Sequence, residues 1–106
     1  MLDGKYEKEI AELYHDIANS YLWEDEDYSN LVNATEFLKK ALAICPHNAS
    51  YNRCIGDVYI KRGFHAMAIE YYQKASILEP YNEEIFFKLG EAYNQNGETK
   101  RSAFAF

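Results

Sequence analysis

Basic residues and helix breakers are both scarce in this chain: 11 Lys and Arg stand against 17 Asp and Glu, with two prolines and five glycines among 106 residues. A nucleic-acid partner needs clustered cations to neutralise phosphates, so a net charge of -6 argues against that class. With only Cys45 and Cys54 and no export signal, a disulfide framework is not expected, and both thiols are expected to be reduced in a cytoplasm. No apolar run reaches the roughly 18 residues that cross a bilayer, which excludes a membrane span. The opening MLDGKYEKEIAELY is charged and helical in pattern, without the apolar centre of a signal peptide.

What is present points to helices. The composition is 48% hydrophobic and 16% aromatic, with ten tyrosines, enough to bury a core in one domain over residues 1–106. A self-comparison finds a period of 34: Pro46 and Pro80, Asn48 and Asn82, Gly56 and Gly90, Tyr59 and Tyr93, Gly63 and Gly97 all stand that far apart. Backwards by the same step, Ala34, Leu38 and Ala41 correspond to Ala68, Tyr72 and Ala75. The first helix needs an offset of 38, because Ile17, Ala18 and Tyr21 precede Ile55, Gly56 and Tyr59, which places about four extra residues in LWEDEDYSN.

Within each unit, apolar residues recur three and four apart, as one buried helix face requires. Gly56, Ala68 and Ala75 let two helices approach, and Tyr59 and Tyr72 fill the space beside them. Gly63 suits a left-handed helix end and Pro80 stops the second helix. The spacing predicts six antiparallel helices, at about 5–22, 30–44, 48–62, 65–78, 82–96 and 98–106.

The residues Ile55-Gly56, Tyr59, Gly63, Ala68, Tyr72, Ala75 and Pro80, then Leu89-Gly90, Tyr93, Gly97, Ser102 and Phe106, resemble the tetratricopeptide repeat (TPR), a helix-turn-helix unit of 34 residues. Asn52 departs from the pattern, standing where the family usually has a large aromatic. The resemblance implies an all-α fold, a short right-handed solenoid of about three units. Repeat 1 would span about 11–48 with a longer loop at 23–29, repeat 2 about 49–82, and repeat 3 about 83–106, truncated.

TPR proteins commonly receive a partner's peptide or helix in a concave groove lined by the first helix of each unit. Projected onto this chain, the groove contacts are His15, Asn19, Arg53, Asp57, Ile60, Phe87, Lys88 and Glu91, with a solvated helix face as the plain alternative for each. The carboxylate clamp by which some members hold the acidic end of heat-shock chaperones would fall on His15, Asn19, Cys54, Glu84 and Lys88. Only Asn19 matches it and Lys88 keeps its charge, so that ligand is disfavoured. The groove better suits a segment with one or two apolar anchors and a basic residue facing Asp57 or Glu91.

Chemistry is not indicated. Cys45, His47 and Cys54 lack the second close pair of a zinc site. The run Glu24-Asp25-Glu26-Asp27 lacks the ligand spacing and glycine of a calcium loop and reads as a solvated acidic loop. Trp23 is expected to pack beneath it. No nucleophile-and-base set or phosphate-cradling glycine loop is present, so the chain reads as no enzyme and needs no cofactor or metal. The expected function is a cytoplasmic adaptor that binds a protein or peptide. The alternatives are a dedicated chaperone of a bacterial secretion substrate, or a structural module that self-associates through its C-terminal end at Phe104 and Phe106.

Overall fold

The protein, described here as a computed structural model over residues 6–24 and 27–104, is all-helical among those residues. Five helices follow one another: α1 (Glu7–Glu24), α2 (Tyr28–Ile44), α3 (Ala49–Lys61), α4 (His65–Leu78) and α5 (Glu83–Phe104). They pack in the order of the chain, α1 on α2, α2 on α3, α3 on α4 and α4 on α5. This is a short TPR-like solenoid in which α1, α3 and α5 are the first helices of successive units.

The 34-residue period holds at the level of individual dihedrals. Both residues that precede a proline leave the helical region, Cys45 at φ -124° and ψ 75°, Glu79 at φ -130° and ψ 77°. A proline ring disfavours the helical conformation of the residue before it, so each proline ends a helix at the same point. Each of these residues still donates its N–H to an alanine carbonyl four residues back, Ala41 and Ala75, at 2.9 Å. The next helix then starts on a side-chain cap. Asn48 Oδ1 accepts from the N–H of Tyr51 at 3.0 Å, and Asn82 Oδ1 accepts from those of Glu84 and Ile85 at 3.0 and 3.3 Å.

Gly63 makes the turn inside the second unit. Its φ of +83° is the one left-handed value among the described residues, and the N–H of Phe64 closes back on the Tyr59 carbonyl at 2.8 Å. Fully buried alanines then set the helix spacing: Ala18, Ala34, Ala41, Ala68, Ala75 and Ala92. Leu38, Ile55, Val58, Tyr59 and Tyr72 fill the core between them. Ten or so buried apolar side chains of this kind, at about 1.5–3 kcal/mol each for the large ones, are the main force holding the stack together.

Two further contacts tie the first unit to the second. Asn52, the departure from the family pattern, is buried and its Nδ2 donates to the carbonyls of Asn48 (2.9 Å) and Pro46 (3.3 Å), stitching α3 to the turn before it. Arg62 Nη1 donates to Thr35 Oγ1 on α2 at 3.2 Å, while its guanidinium lies 4.9–5.7 Å from the ring centroids of Phe64, Tyr28 and Tyr59.

The structure corrects three expectations. The described residues form five helices and not six, because α5 runs straight through Gly97 to Phe104. A folded-back helix of nine residues over 98–106 is marginal by itself, and the polar stretch Glu98-Thr99-Lys100-Arg101 offers little apolar surface to hold it. Continuing α5 keeps the backbone hydrogen bonds instead. The loop between α1 and α2 is shorter than expected, with Asp27 capping α2 through the N–H of Asn30 at 2.8 Å. Trp23 does not pack beneath it but is 87% exposed. Phe106, Asp25 and Glu26 lie outside the described residues, as does the side chain of Phe104.

Candidate functional site

The first helices α1, α3 and α5 place one residue per turn on a shared side, and together these line a concave cavity of about 580 Å³. His15, Asn19 and Leu22 come from α1; Arg53, Cys54, Asp57 and Ile60 from α3; Lys88, Glu91 and Gln95 from α5. The structure therefore brings together seven of the eight residues expected in the groove. The exception is Phe87, which is 67% exposed and does not line the cavity. One further step around α5, it faces solvent beside the groove rim.

Asp57 is the hub of the site. Its Oδ1 accepts from the Tyr72 hydroxyl at 2.5 Å and from Lys88 Nζ at 2.9 Å, and its Oδ2 accepts from Arg53 Nη1 at 3.4 Å. Arg53 Nη1 also reaches Glu84 Oε1 at 3.4 Å. One carboxylate thus joins the second helix of its own unit to the first helix of the next. Burial, followed by the hydrogen bond and charge of Asp57, pushes the Tyr72 hydroxyl well above the usual tyrosine range. The phenol stays protonated and keeps donating.

The pairing changes what the groove offers. A basic residue of a ligand cannot use Asp57, whose oxygens already hold two cations and a phenol. Glu91, exposed on the next helix, is the carboxylate that remains available at the cavity wall.

At the α1 end, Asn19 Nδ2 is 3.4 Å from His15 Nε2, and Cys54 Sγ is 3.5 Å from the same nitrogen. The Tyr51 ring lies against His15, with centroids 5.1 Å apart. Burial raises the Cys54 thiol above its ordinary range, which keeps it neutral and poorly nucleophilic. No group of three metal-ligating side chains occurs among the described residues, and none of the described helices is long and apolar enough to cross a membrane.

Reading the sequence alone finds the groove face through the helical period, but not the hub. Nothing in a 15-residue separation between Asp57 and Tyr72, or 31 between Asp57 and Lys88, marks them as partners until the helices are stacked. The available signal is the repeat itself: a polar residue one place after the packing glycine of α3 must point along the seam between units.

Comparison with known proteins agrees with this architecture. Residues 56–97, covering α3 from its packing glycine through α4 to Gly97, match the family model described as TPR repeat. No curated protein matches the chain.

Proposed function

We propose that this TPR repeat protein is a protein-interaction adaptor that receives a peptide or helix of a partner in the groove between α1, α3 and α5. The observation that carries this reading is the cavity of about 580 Å³, in which ligand-facing residues from three successive first helices converge. Its chemistry is that of a recognition surface: apolar Leu22 and Ile60 stand beside polar Asn19, Arg53, Lys88 and Glu91.

The ligand favoured by this groove has an apolar anchor for the Leu22–Ile60 wall and a basic residue for Glu91. Arg53 and Lys88 hold their positions through Asp57, so they present spare N–H groups to ligand carbonyls at little entropic cost. A chaperone role in bacterial secretion would use the same groove, and a cytoplasmic setting suits both readings.

The test is capture by the immobilised chain in parallel with the variants Glu91→Lys and Ile60→Glu, each checked for an unchanged helical signal. A partner retained by the native chain and lost by both variants supports the reading. A partner retained equally by all three places binding elsewhere on the molecule.

A further inference from the structure

The same repeat that builds the groove leaves a second surface on α5, on a different side of the helix. In the second unit, Asn52, Gly56 and Tyr59 on α3 are covered, Asn52 and Tyr59 being 1% and 3% exposed, and Gly63 follows in the turn. The equivalent stripe of α5 is Phe86, Gly90, Tyr93 and Gly97, and here Phe86 and Tyr93 are 47% and 48% exposed. A Cβ added at Gly56 would collide with the Tyr72 ring, whereas one added at Gly90 or Gly97 would meet no atom within 4 Å. Gly90 thus sits inside a helix, at negative φ, with no neighbour that requires it. Such a glycine costs about 0.5–1 kcal/mol relative to alanine, which the isolated chain gains nothing from.

The order of sizes along this stripe says what covers it. Large, small, large, small stand at spacings of four, three and four residues, a series that reads the same reversed except that large and small exchange. A second α5 laid antiparallel, with the two-fold axis between residues 91 and 92, therefore sets Phe86 opposite Gly97 of the second copy and Tyr93 opposite Gly90 of the second copy. Each aromatic meets a hollow, the relationship that Tyr72 and Gly56 already have inside the second unit. Such a pairing allows the helix axes to come to the close end of the ~8–10 Å packing range. The pairing continues the α3–α4–α5 stack.

We propose that two copies of this chain pair through this face of α5, forming an isologous antiparallel dimer. The groove residues Lys88 and Glu91 lie on the other side of the helix, so a dimer presents two grooves and can engage two partner segments at once. This moves self-association from the chain end at Phe104 and Phe106 to the middle of α5.

Light scattering of the full chain at rising concentration tests the pairing, alongside Gly90→Leu, Tyr93→Glu and Phe104→Glu. The native chain is expected to reach twice the 12.4 kDa monomer mass. Gly90→Leu and Tyr93→Glu should each hold the mass at the monomer value, while Phe104→Glu still dimerises. Leucine at position 90 fills the hollow, its Cβ meets no atom of its own chain, and it favours the helix, so an unchanged or raised melting temperature shows that the fold is intact. A chain that stays monomeric at every concentration, leaving the face to a foreign helix, would overturn the proposal. So would a dimer that survives both α5 substitutions, or one lost only with Phe104→Glu.

Discussion

Gly56 and Tyr72 are packed so closely that a Cβ on the glycine would lie 2.6 Å from Cε1 and 2.8 Å from Cδ1 of the tyrosine ring. The ring has nowhere to go, since its hydroxyl is held by Asp57 at 2.5 Å. This pair sets the distance between α3 and α4, and with it the direction in which α3 presents Arg53, Asp57 and Ile60.

Alanine at the two repeat-equivalent glycines should therefore act with opposite signs. Gly56→Ala is expected to cost about 1–3 kcal/mol by overpacking, lowering the melting temperature by several degrees. Gly90→Ala is expected to raise stability by about 0.5–1 kcal/mol, because the position is helical and open. Denaturant melts of the two variants check this, at protein concentrations low enough to keep the chain monomeric. Equal effects would mean that the third unit is packed like the second.

Tyr72→Phe removes the donor to Asp57 and should cost about 1.5–3 kcal/mol, the range for a hydrogen bond to a charged group. It should also change the alkaline limb of the stability curve. The unfolded chain releases the phenol proton at its ordinary value of 10.0, while the folded chain holds it well above that. The folded state thus binds more protons there, so stability falls as pH rises past about 10 and continues to fall toward the folded value. In the phenylalanine variant this part of the decline should be absent. Urea titrations at a series of pH values up to the alkaline range measure it.

Arg62→Ala should lower stability by about 1–3 kcal/mol, since it leaves Thr35 Oγ1 without its donor from α3 and uncovers the rings of Tyr28, Tyr59 and Phe64. Lysine at this position cannot reproduce the planar stacking and should recover only part of the loss. The melting temperatures of the two variants against the native chain decide this.

Asn52→Leu puts an apolar side chain at a buried position, yet it should destabilise this protein by about 1–3 kcal/mol. The carbonyls of Asn48 and Pro46 would lose their Nδ2 donor inside the turn. Thermal unfolding of Asn52→Leu gives the sign directly.

How much of this was legible in the sequence depends on the range of the interactions. The helix boundaries at Pro46 and Pro80, the caps at Asn48 and Asn82 and the turn at Gly63 are set by one or two residues each. They appear in the sequence as repeated letters and in the structure as repeated dihedrals. The groove face follows from the helical period, which is why His15, Asn19, Arg53, Asp57, Ile60, Lys88 and Glu91 converge. What stayed hidden depends on neighbours that only stacking supplies. The tie from Asp57 to Tyr72 and Lys88, the clasp of Arg62 on α2 and the internal bonds of Asn52 are of this kind. Gly97 misled for a related reason: it matches Gly63 in type, but a left-handed turn forms only where the returning helix has enough apolar surface to hold it. Glu98 to Arg101 do not provide that surface.

The central claim, that a partner segment lies in the groove, is tested most directly by the two cysteines. Cys54 lines the cavity, whereas Cys45 caps α2 and is not among the residues that line it. Alkylation of both thiols is followed by mass spectrometry with and without a saturating concentration of the captured partner segment. The account predicts that the segment slows modification of Cys54 by about tenfold or more, a shielding equivalent to about 1.4 kcal/mol, and leaves Cys45 unchanged. Equal modification of Cys54 in the bound and free protein would contradict it.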